Sequence, residues 1–216
     1  MRGEPRLRVA VAGFGPFPGV RKNPSAEIAR AVARSPRFRA ASIALDTAIF
    51  PTAYGAAEIE LRKLLDKSPD TIVLFGVAGS AKHIRVETIA RNRASLLHPD
   101  NARFIPLTRK LSASGAAFLQ VRGSAARMRA AIRGSGSKAE LSINAGSYLC
   151  NAMFYRALAE TADRKPPPLT FFIHVPKPKR GHGKESLASL IRAGEAAVRA
   201  AVSGALKARS VPRRDG

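Results

Sequence analysis

Several residue types are scarce in this chain, and each shortage excludes a class of protein. One cysteine in 216 residues leaves no partner for an internal disulfide, which fits a reducing cytoplasm. The cysteine and the four histidines show no C-x-x-C or H-E-x-x-H spacing, so no metal site is expected. No apolar run approaches the length of a membrane span, and the N-terminus lacks the apolar core of a secretory signal, so no membrane association is expected.

Acidic residues are also scarce, and tryptophan is absent. Asp and Glu number 15 against 37 Lys and Arg, which gives a net charge of +22. A solvated, arginine-rich surface is the ordinary explanation, and weak, non-specific binding of a polyanion is the sharper one. No RNA- or DNA-binding motif is present, and aromatic residues, on which bases stack, make up only 6% of the chain. A basic nucleic-acid-binding α/β protein with a vestigial enzyme site is therefore the alternative to an enzyme.

The distribution of apolar residues predicts one α/β domain. A chain of 216 residues, 45% of them hydrophobic, can bury one sizeable core, so we expect a single domain over residues 1–216. Short β-branched runs alternate with helical periodicity, which predicts a three-layer α/β/α sandwich around a largely parallel, twisted central sheet. The predicted strands cover 7–12, a segment near 42–49, 71–75, 84–90, 141–145 and 169–174; the helices cover 24–34, 53–66, 151–160 and 184–207; the loops cover 36–40, 93–104, 164–168 and 177–183, and 211–216 is a frayed basic tail.

The cysteine follows a segment that is typical of a strand-to-helix turn. Residues 141–143 are partly β-branched, residues 151–158 form an apolar, helix-like run, and Cys150 stands directly before that run. A thiol at a helix start lies near the positive end of the helix dipole, which favours the nucleophilic thiolate. A free cysteine is more often a small buried hydrophobic residue. A catalytic role for Cys150 therefore requires partners.

His174 and Glu87 are the candidate partners. Nucleophilic catalysis by cysteine needs a general base and a group that orients the base. His174 ends an apolar strand-like run, where α/β enzymes place site residues, and Glu87 lies in an alternating segment. Each also has a structural interpretation, because a lone histidine is often structural and Glu87 could be an exposed residue paired with a neighbouring arginine.

Four blocks of sequence carry a more specific pattern. They are GFGPFPG at 13–19 followed by NP at 23–24, GVAG at 76–79 followed by VE at 86–87 and PDN at 99–101, AGSYLCN at 145–151, and FIHVP at 172–176. In this order the blocks resemble those of pyroglutamyl peptidase I, or pyrrolidone-carboxylate peptidase, a family of cysteine peptidases. The resemblance covers nearly the whole chain, and the last two blocks are the most specific.

The resemblance implies both a catalytic triad and a reaction. Cys150 would be the nucleophile, His174 the general base and acid, and Glu87 the orienting carboxylate. The family removes an N-terminal pyroglutamyl residue from a peptide through a thioester, with no metal or organic cofactor. The backbone N–H of Cys150 would be the first donor to the oxyanion. Because the family is often oligomeric, the resemblance also leaves a homo-oligomer open.

The same resemblance implies a substrate pocket. Phe14 and Phe17 match the family's pocket phenylalanines, and aromatic faces suit a flat, uncharged lactam ring. Asn23 matches an asparagine that orders the pocket loop, although we favour its interpretation as a helix N-cap followed by Pro24. Val77 occupies a pocket-wall position where the family often has glutamine.

The chain also departs from the family pattern. Ser80-Ala81 stands where members usually have Gly-Arg, and Leu97 replaces an arginine that is common near the active site. These departures predict altered substrate detail and turnover, with the triad unchanged.

Overall fold

The fold is a mixed α/β sandwich, seen in a computed structural model that describes residues 7–40, 43–178 and 186–210. In these ranges the strands are β1 (Leu7–Phe14), β2 (Ile43–Phe50), β3 (Thr71–Val77), β4 (Ile84–Glu87), β5 (Ile89–Arg91), β6 (Phe118–Gln120), β7 (Ala139–Ser142) and β8 (Leu169–Val175). The helices are α1 (Pro24–Arg34), α2 (Pro36–Ala40), α3 (Tyr54–Asp66), α4 (Ala125–Gly134), α5 (Leu149–Ala159) and α6 (Leu187–Ser210).

The main sheet has the strand order β2-β1-β3-β8-β4-β7. The first four strands in this order run parallel, whereas β4 runs antiparallel to β8 and parallel to β7. Strands β1 and β3 are buried along nearly their whole length, as expected for parallel strands that helices cover on both faces. The predicted α/β class with a largely parallel sheet is confirmed.

Two hydrophobic clusters lie on opposite faces of this sheet. One contains residues of α1, α4 and α6, and the other contains residues of α3 and α5. Successive side chains of β3 point alternately into the two clusters, since Val73 and Phe75 belong to the first cluster and Ile72 and Leu74 to the second. Among the described helices, none is both long enough and apolar enough to cross a membrane.

Several predicted boundaries were wrong. The predicted loop at 36–40 is the short helix α2, and the predicted strand at 84–90 divides into β4 in the main sheet and β5, which pairs with β6. The division falls at Thr88, whose N–H donates to the Ser142 carbonyl. The strand expected at 141–145 ends at Ser142, and the helix expected at 151–160 begins at Leu149. Cys150 therefore lies inside the first turn of α5.

Two elements were not predicted at all. Helix α4 buries only Met128 and Ile132, so its apolar periodicity is weak, and β6 is only three residues long. The final helix extends to Ser210 rather than 207. Its predicted first residues, 184–185, lie outside the described residues, as do residue 42, most of the 177–183 loop and the 211–216 tail.

Candidate active site

Glu87 and His174 meet across neighbouring antiparallel strands. Glu87 ends β4 and His174 is the penultimate residue of β8. The imidazole Nδ1 lies 2.8 Å from Glu87 Oε1, and both side chains are buried. A carboxylate at Nδ1 fixes the ring orientation and leaves Nε2 for another partner. Glu87 is therefore not the exposed residue, paired with a neighbouring arginine, that its alternative interpretation describes.

The second partner of His174 is Cys150, with which its side chain forms a hydrogen bond. Burial of the imidazole lowers its pKa, but the hydrogen bonds and negative charges of Cys150 and Glu87 outweigh burial and raise the pKa of His174 from 6.5 to about 9. His174 is therefore protonated at neutral pH, with the side chain of Cys150 as its second partner. The structure thus brings the three predicted triad residues together.

A glycine beneath the sulfur makes room for it. Gly76 precedes the last residue of β3 and pairs with His174 of β8. A β-carbon at position 76 would lie 2.9 Å from Cys150 Sγ and 2.8 Å from Cζ of Phe172, which is closer than real β-carbons approach. Any residue larger than glycine would displace the sulfur or the Phe172 ring. Sequence reasoning placed Gly76 in a family block without seeing this role.

The start of α5 is held by the residue after Cys150. Asn151 is fully buried, and its side-chain amide accepts from the Arg91 N–H at 2.8 Å and donates to the carbonyls of Arg91 and Arg93 at 2.8 and 2.9 Å. The N-cap residue, Tyr148, supplies no side-chain cap. Because the first N–H groups of a helix have no partner within the helix, the Cys150 N–H is well placed to bind an oxyanion.

The predicted pocket phenylalanines occupy two different environments. Phe14 is buried and packs edge-on against Phe50, with ring centroids 5.5 Å apart, and against Phe172 at 6.4 Å. The Phe172 ring lies 4.9 Å from the His174 imidazole, so Phe14 is linked to His174 through one ring. Phe17 is half-buried and lines an open cleft of about 940 Å³. The other residues around this cleft are Pro16, Pro18, Arg21, His98, Pro99, Asp100, Asn101, Arg103 and Tyr148.

Asn23 caps α1 and also ties down the loop that carries Phe17. Its Oδ1 accepts from the Ser25 N–H at 3.1 Å, and its Nδ2 donates to the Gly15 carbonyl at 2.9 Å. Both interpretations of Asn23 therefore describe real contacts, and neither places it against a substrate.

Val77 follows Gly76 on β3, and side chains alternate along a strand, so Val77 points to the face opposite the Cys150 sulfur. This direction argues against a pocket-wall role for Val77.

The PDN block at 99–101 joins the cleft to α3. Ala53, the N-cap of α3, offers no side-chain cap, and Asp100 Oδ2 instead accepts from the Tyr54 N–H at 2.8 Å. Asn101 donates to the Thr52 hydroxyl at 2.6 Å and to the Pro16 carbonyl at 3.1 Å. Sequence reasoning recognised this block as a family feature, and its contacts show that it fixes the walls of the cleft.

The residues that depart from the family pattern are an exposed side chain and a turn residue. Leu97 is 82% exposed, and Ala81 lies in the turn after β3, where its N–H donates to the Ala78 carbonyl. The guanidinium of Arg91 donates to the Ile143 carbonyl at 3.3 Å, and Arg93 is exposed. Within the described ranges, no cluster of His, Cys, Asp and Glu side chains is arranged to hold a metal ion.

Comparison with known proteins decides the family. The family model described as pyroglutamyl peptidase matches residues 7–208. The chain belongs to the pyroglutamyl peptidase family. It is similar to the pyrrolidone-carboxylate peptidase of Levilactobacillus brevis, with 31% identity over 91% of this chain and 98% of that protein. The enzyme of the same name from Gloeobacter violaceus is 34% identical over 79% of this chain and 82% of its own length.

Solved structures agree with this family membership. The pyrrolidone carboxyl peptidase from Thermococcus litoralis superposes with a TM-score of 0.84 at 27% identity, covering 95% of this chain and 99% of that one. Pyroglutamyl peptidase I from Bacillus amyloliquefaciens gives 0.79 at 28% identity, covering 91% of this chain and 98% of that one. The predicted resemblance is confirmed, and the peptidase interpretation is favoured over a nucleic-acid-binding protein with a vestigial site.

Proposed function

We propose that this protein is a cysteine peptidase that removes N-terminal pyroglutamyl residues from peptides, with Cys150, His174 and Glu87 as its triad. The observation that carries the proposal is the position of His174, whose ring contacts Glu87 on one side and Cys150 on the other. This is the arrangement that thiol catalysis needs, and it occurs in a chain of the pyroglutamyl peptidase family.

Acylation uses the proton held on His174. Cys150 Sγ attacks the carbonyl carbon between the pyroglutamyl group and the next residue, a C–S bond forms, and the carbonyl electrons move to oxygen. The Cys150 N–H at the start of α5 donates to this oxyanion. When the oxyanion collapses, the C–N bond breaks and protonated His174 gives its proton to the leaving amine. The products of this half-reaction are the shortened peptide and a thioester on Cys150.

Deacylation uses His174 as a base. Neutral His174 takes a proton from water, the resulting hydroxide attacks the thioester carbon, and the C–S bond breaks to release pyroglutamic acid. The thiolate and the imidazolium are then restored. Glu87 holds Nδ1 throughout, so that Nε2 faces the reacting atoms, and its negative charge stabilises the imidazolium.

The acyl group would bind between the sulfur and the cleft that Phe17 lines. A lactam is flat and uncharged, and the aromatic rings near the triad suit it better than a charged N-terminus. Phe14 would act from behind, by supporting the Phe172 ring next to His174. Asn23 would act through the loop that it ties to α1. Because the side chain of Val77 points to the opposite face, we leave it out of the pocket.

Three further properties belong to the proposal. The net charge of +22 supports weak, non-specific polyanion binding by an active peptidase. The family resemblance supports a homo-oligomer, and the single cysteine supports a cytoplasmic location.

The deciding experiment measures hydrolysis of a pyroglutamyl-coupled fluorogenic amide, with the corresponding prolyl amide as the control substrate. The wild type should cleave the first and not the second. Cys150→Ala should abolish cleavage with little change in the melting temperature, and iodoacetamide should inactivate the wild type with one equivalent bound. Unchanged turnover in Cys150→Ala would end the peptidase proposal.

A further inference from the structure

The hydroxyl of Tyr54 is a buried donor that no described residue satisfies. Tyr54 is 4% exposed, and its hydroxyl oxygen has no hydrogen-bond partner in the described structure. A buried polar group without a partner destabilises a protein by about 1–3 kcal/mol, and native structures contain few of them. Such a group points to a ligand that completes it.

The ring of Tyr54 packs against the N-cap residue of the helix that carries Cys150. Tyr54 packs edge-on against Tyr148, the N-cap of the helix that carries Cys150, with ring centroids 5.8 Å apart. Burial, followed by the charges of Tyr148, Asp100 and Cys150, raises the pKa of Tyr54 well above its usual value. A charge on the Cys150 sulfur is therefore felt at this hydroxyl, and the hydroxyl remains a neutral donor at any pH at which the enzyme works.

Contacts on several sides hold this ring in place. The Tyr54 N–H donates to Asp100 Oδ2 at 2.8 Å, and the Phe104 ring packs edge-on against the Tyr54 ring, with centroids 6.1 Å apart. Asp100 also accepts a hydrogen bond from the Phe104 N–H. The ring is thus between Phe104 and Tyr148, with little freedom to swing toward another acceptor. A donor fixed in this way is prepared for its acceptor before the acceptor arrives.

The other tyrosines near α5 are not in this position. The Tyr148 hydroxyl donates to the Pro99 carbonyl at 3.0 Å, and the Tyr155 hydroxyl donates to the Ala116 carbonyl at 2.8 Å. Their donors are therefore already used within the protein. Of the three tyrosines, Tyr54 is the one whose hydroxyl has no acceptor among the described residues.

We propose that Tyr54 is a substrate-binding residue whose hydroxyl donates to a carbonyl oxygen of the pyroglutamyl group bound at Cys150. The proposal rests on the proposed function, because the acceptor is part of the substrate. The pyroglutamyl group carries two carbonyls, one in the lactam ring and one at the scissile bond. Both present the same chemistry, an acceptor oxygen that enters a site containing a fixed, unsatisfied donor.

The test compares Tyr54→Phe with Tyr155→Phe, since each removes one buried hydroxyl and nothing else. Tyr54→Phe should lower kcat/KM for the pyroglutamyl amide about tenfold, the value of one neutral hydrogen bond. Because its hydroxyl is unpaired in the free protein, the same change should leave the melting temperature unaltered or raise it. Tyr155→Phe should do the reverse, lowering the melting temperature and leaving kcat/KM unchanged, because its hydroxyl is paired.

Binding of free 2-pyrrolidone, a lactam without a scissile bond, separates the two carbonyls. If Tyr54 binds the ring carbonyl, Tyr54→Phe weakens 2-pyrrolidone binding about tenfold. If it binds the scissile carbonyl, 2-pyrrolidone affinity is unchanged and kcat falls instead. Unchanged kcat/KM together with unchanged lactam affinity would overturn the proposal, as would a melting temperature that drops as in Tyr155→Phe. If the wild type bound 2-pyrrolidone but did not cleave the amide, the proposed function would be refuted. The effect of Tyr54→Phe on 2-pyrrolidone affinity could still be measured in that case.

Discussion

Gly76 lies directly beneath the sulfur of Cys150, with room for a hydrogen atom and nothing larger. A β-carbon at position 76 would lie 2.9 Å from Sγ. The residues come from different layers, because Gly76 belongs to the sheet and Cys150 to the helix above it. The position of the Cys150 sulfur therefore depends on the absence of a side chain at Gly76, which lies 74 residues earlier in the sequence.

Gly76→Ala should consequently impair catalysis more than it impairs folding. The new methyl group must move the sulfur or the Phe172 ring by several tenths of an ångström, and misplacement of a reacting group by about 1 Å can lower the rate about a hundredfold. We expect kcat to fall by about ten- to a hundredfold. The control is Gly134→Ala, where an added β-carbon meets no atom within 4 Å. Equal kcat values for the two variants would show that Gly76 does not position the sulfur.

The sequence predicted the elements whose signal is local. Strands β1, β3 and β8 are continuous apolar runs, and α1 carries its own start signal in Asn23 and Pro24, so these were placed to within about two residues. The family blocks added Cys150, His174 and Glu87 as a set. Position along a strand does not show that two such residues touch, and only the antiparallel pairing of β4 with β8 brings Glu87 to the imidazole.

The features that sequence reasoning missed depend on contacts between distant segments. Asp100 caps a helix that starts 46 residues earlier, and Tyr54 is notable only because its hydroxyl finds no partner among the described residues of the folded chain. Leu97 lies on the irregular segment that follows β5 with its side chain 82% exposed, and the effect of its motif position on turnover stays a prediction.

His174 and Glu87 should contribute unequally to turnover. His174→Ala removes the proposed general base and acid and should lower kcat by at least about a thousandfold. Glu87→Gln keeps an oxygen that can accept from Nδ1, so the ring stays oriented, but it loses the charge that stabilises the imidazolium. We expect a loss of about ten- to a hundredfold in kcat for Glu87→Gln. His98→Ala, which changes a histidine in the cleft, is the control, and a loss as large as that of His174→Ala would contradict the triad.

The ionisation of His174 should depend on Cys150. Because the hydrogen bond and charge of Cys150 raise the His174 pKa to about 9, the ring protons of His174 followed by NMR should titrate near that value in the wild type. In Cys150→Ala the titration should move to a lower pH, because burial, which favours the neutral ring, then opposes Glu87 alone. The same titration midpoint in both proteins would show that the sulfur and the imidazole do not interact.

The ionisation of His174 also makes the stability of the protein depend on pH. The folded pKa of His174 lies above the ordinary value of 6.5, so the stability that its proton contributes is fully present below about pH 6.5 and is lost as the pH rises through about 9. Between pH 6.5 and about 9 the melting temperature of the wild type should fall more steeply than that of His174→Asn, because this variant lacks the titrating imidazole at position 174. Parallel pH profiles for the two proteins would contradict the raised pKa.

Phe17 should matter for substrate and little for stability. It is half-buried on the cleft, so Phe17→Ala should raise KM for the pyroglutamyl amide and lower the melting temperature only slightly. Phe38 is buried in the opposite hydrophobic layer, and Phe38→Ala should do the reverse, with a loss of about 3–5 kcal/mol in the free energy of unfolding and an unchanged KM. If both variants change KM equally, general destabilisation and not a lactam pocket explains the effect.

The basic surface should bind polyanions in a salt-dependent, sequence-independent manner. Lysine and arginine side chains that neutralise phosphates release counterions, so the affinity for duplex DNA should fall steeply between about 50 and 200 mM salt. Exposed Arg127 lies on α4, which has no acidic residue, and Arg127→Ala should reduce the slope of log affinity against log salt by about one. Arg30 is already paired with Glu27 at 2.7 Å, so Arg30→Ala should reduce this slope less. A salt-insensitive complex, or one that strongly prefers a single DNA sequence, would contradict incidental binding, because either requires contacts with bases and not with phosphates alone.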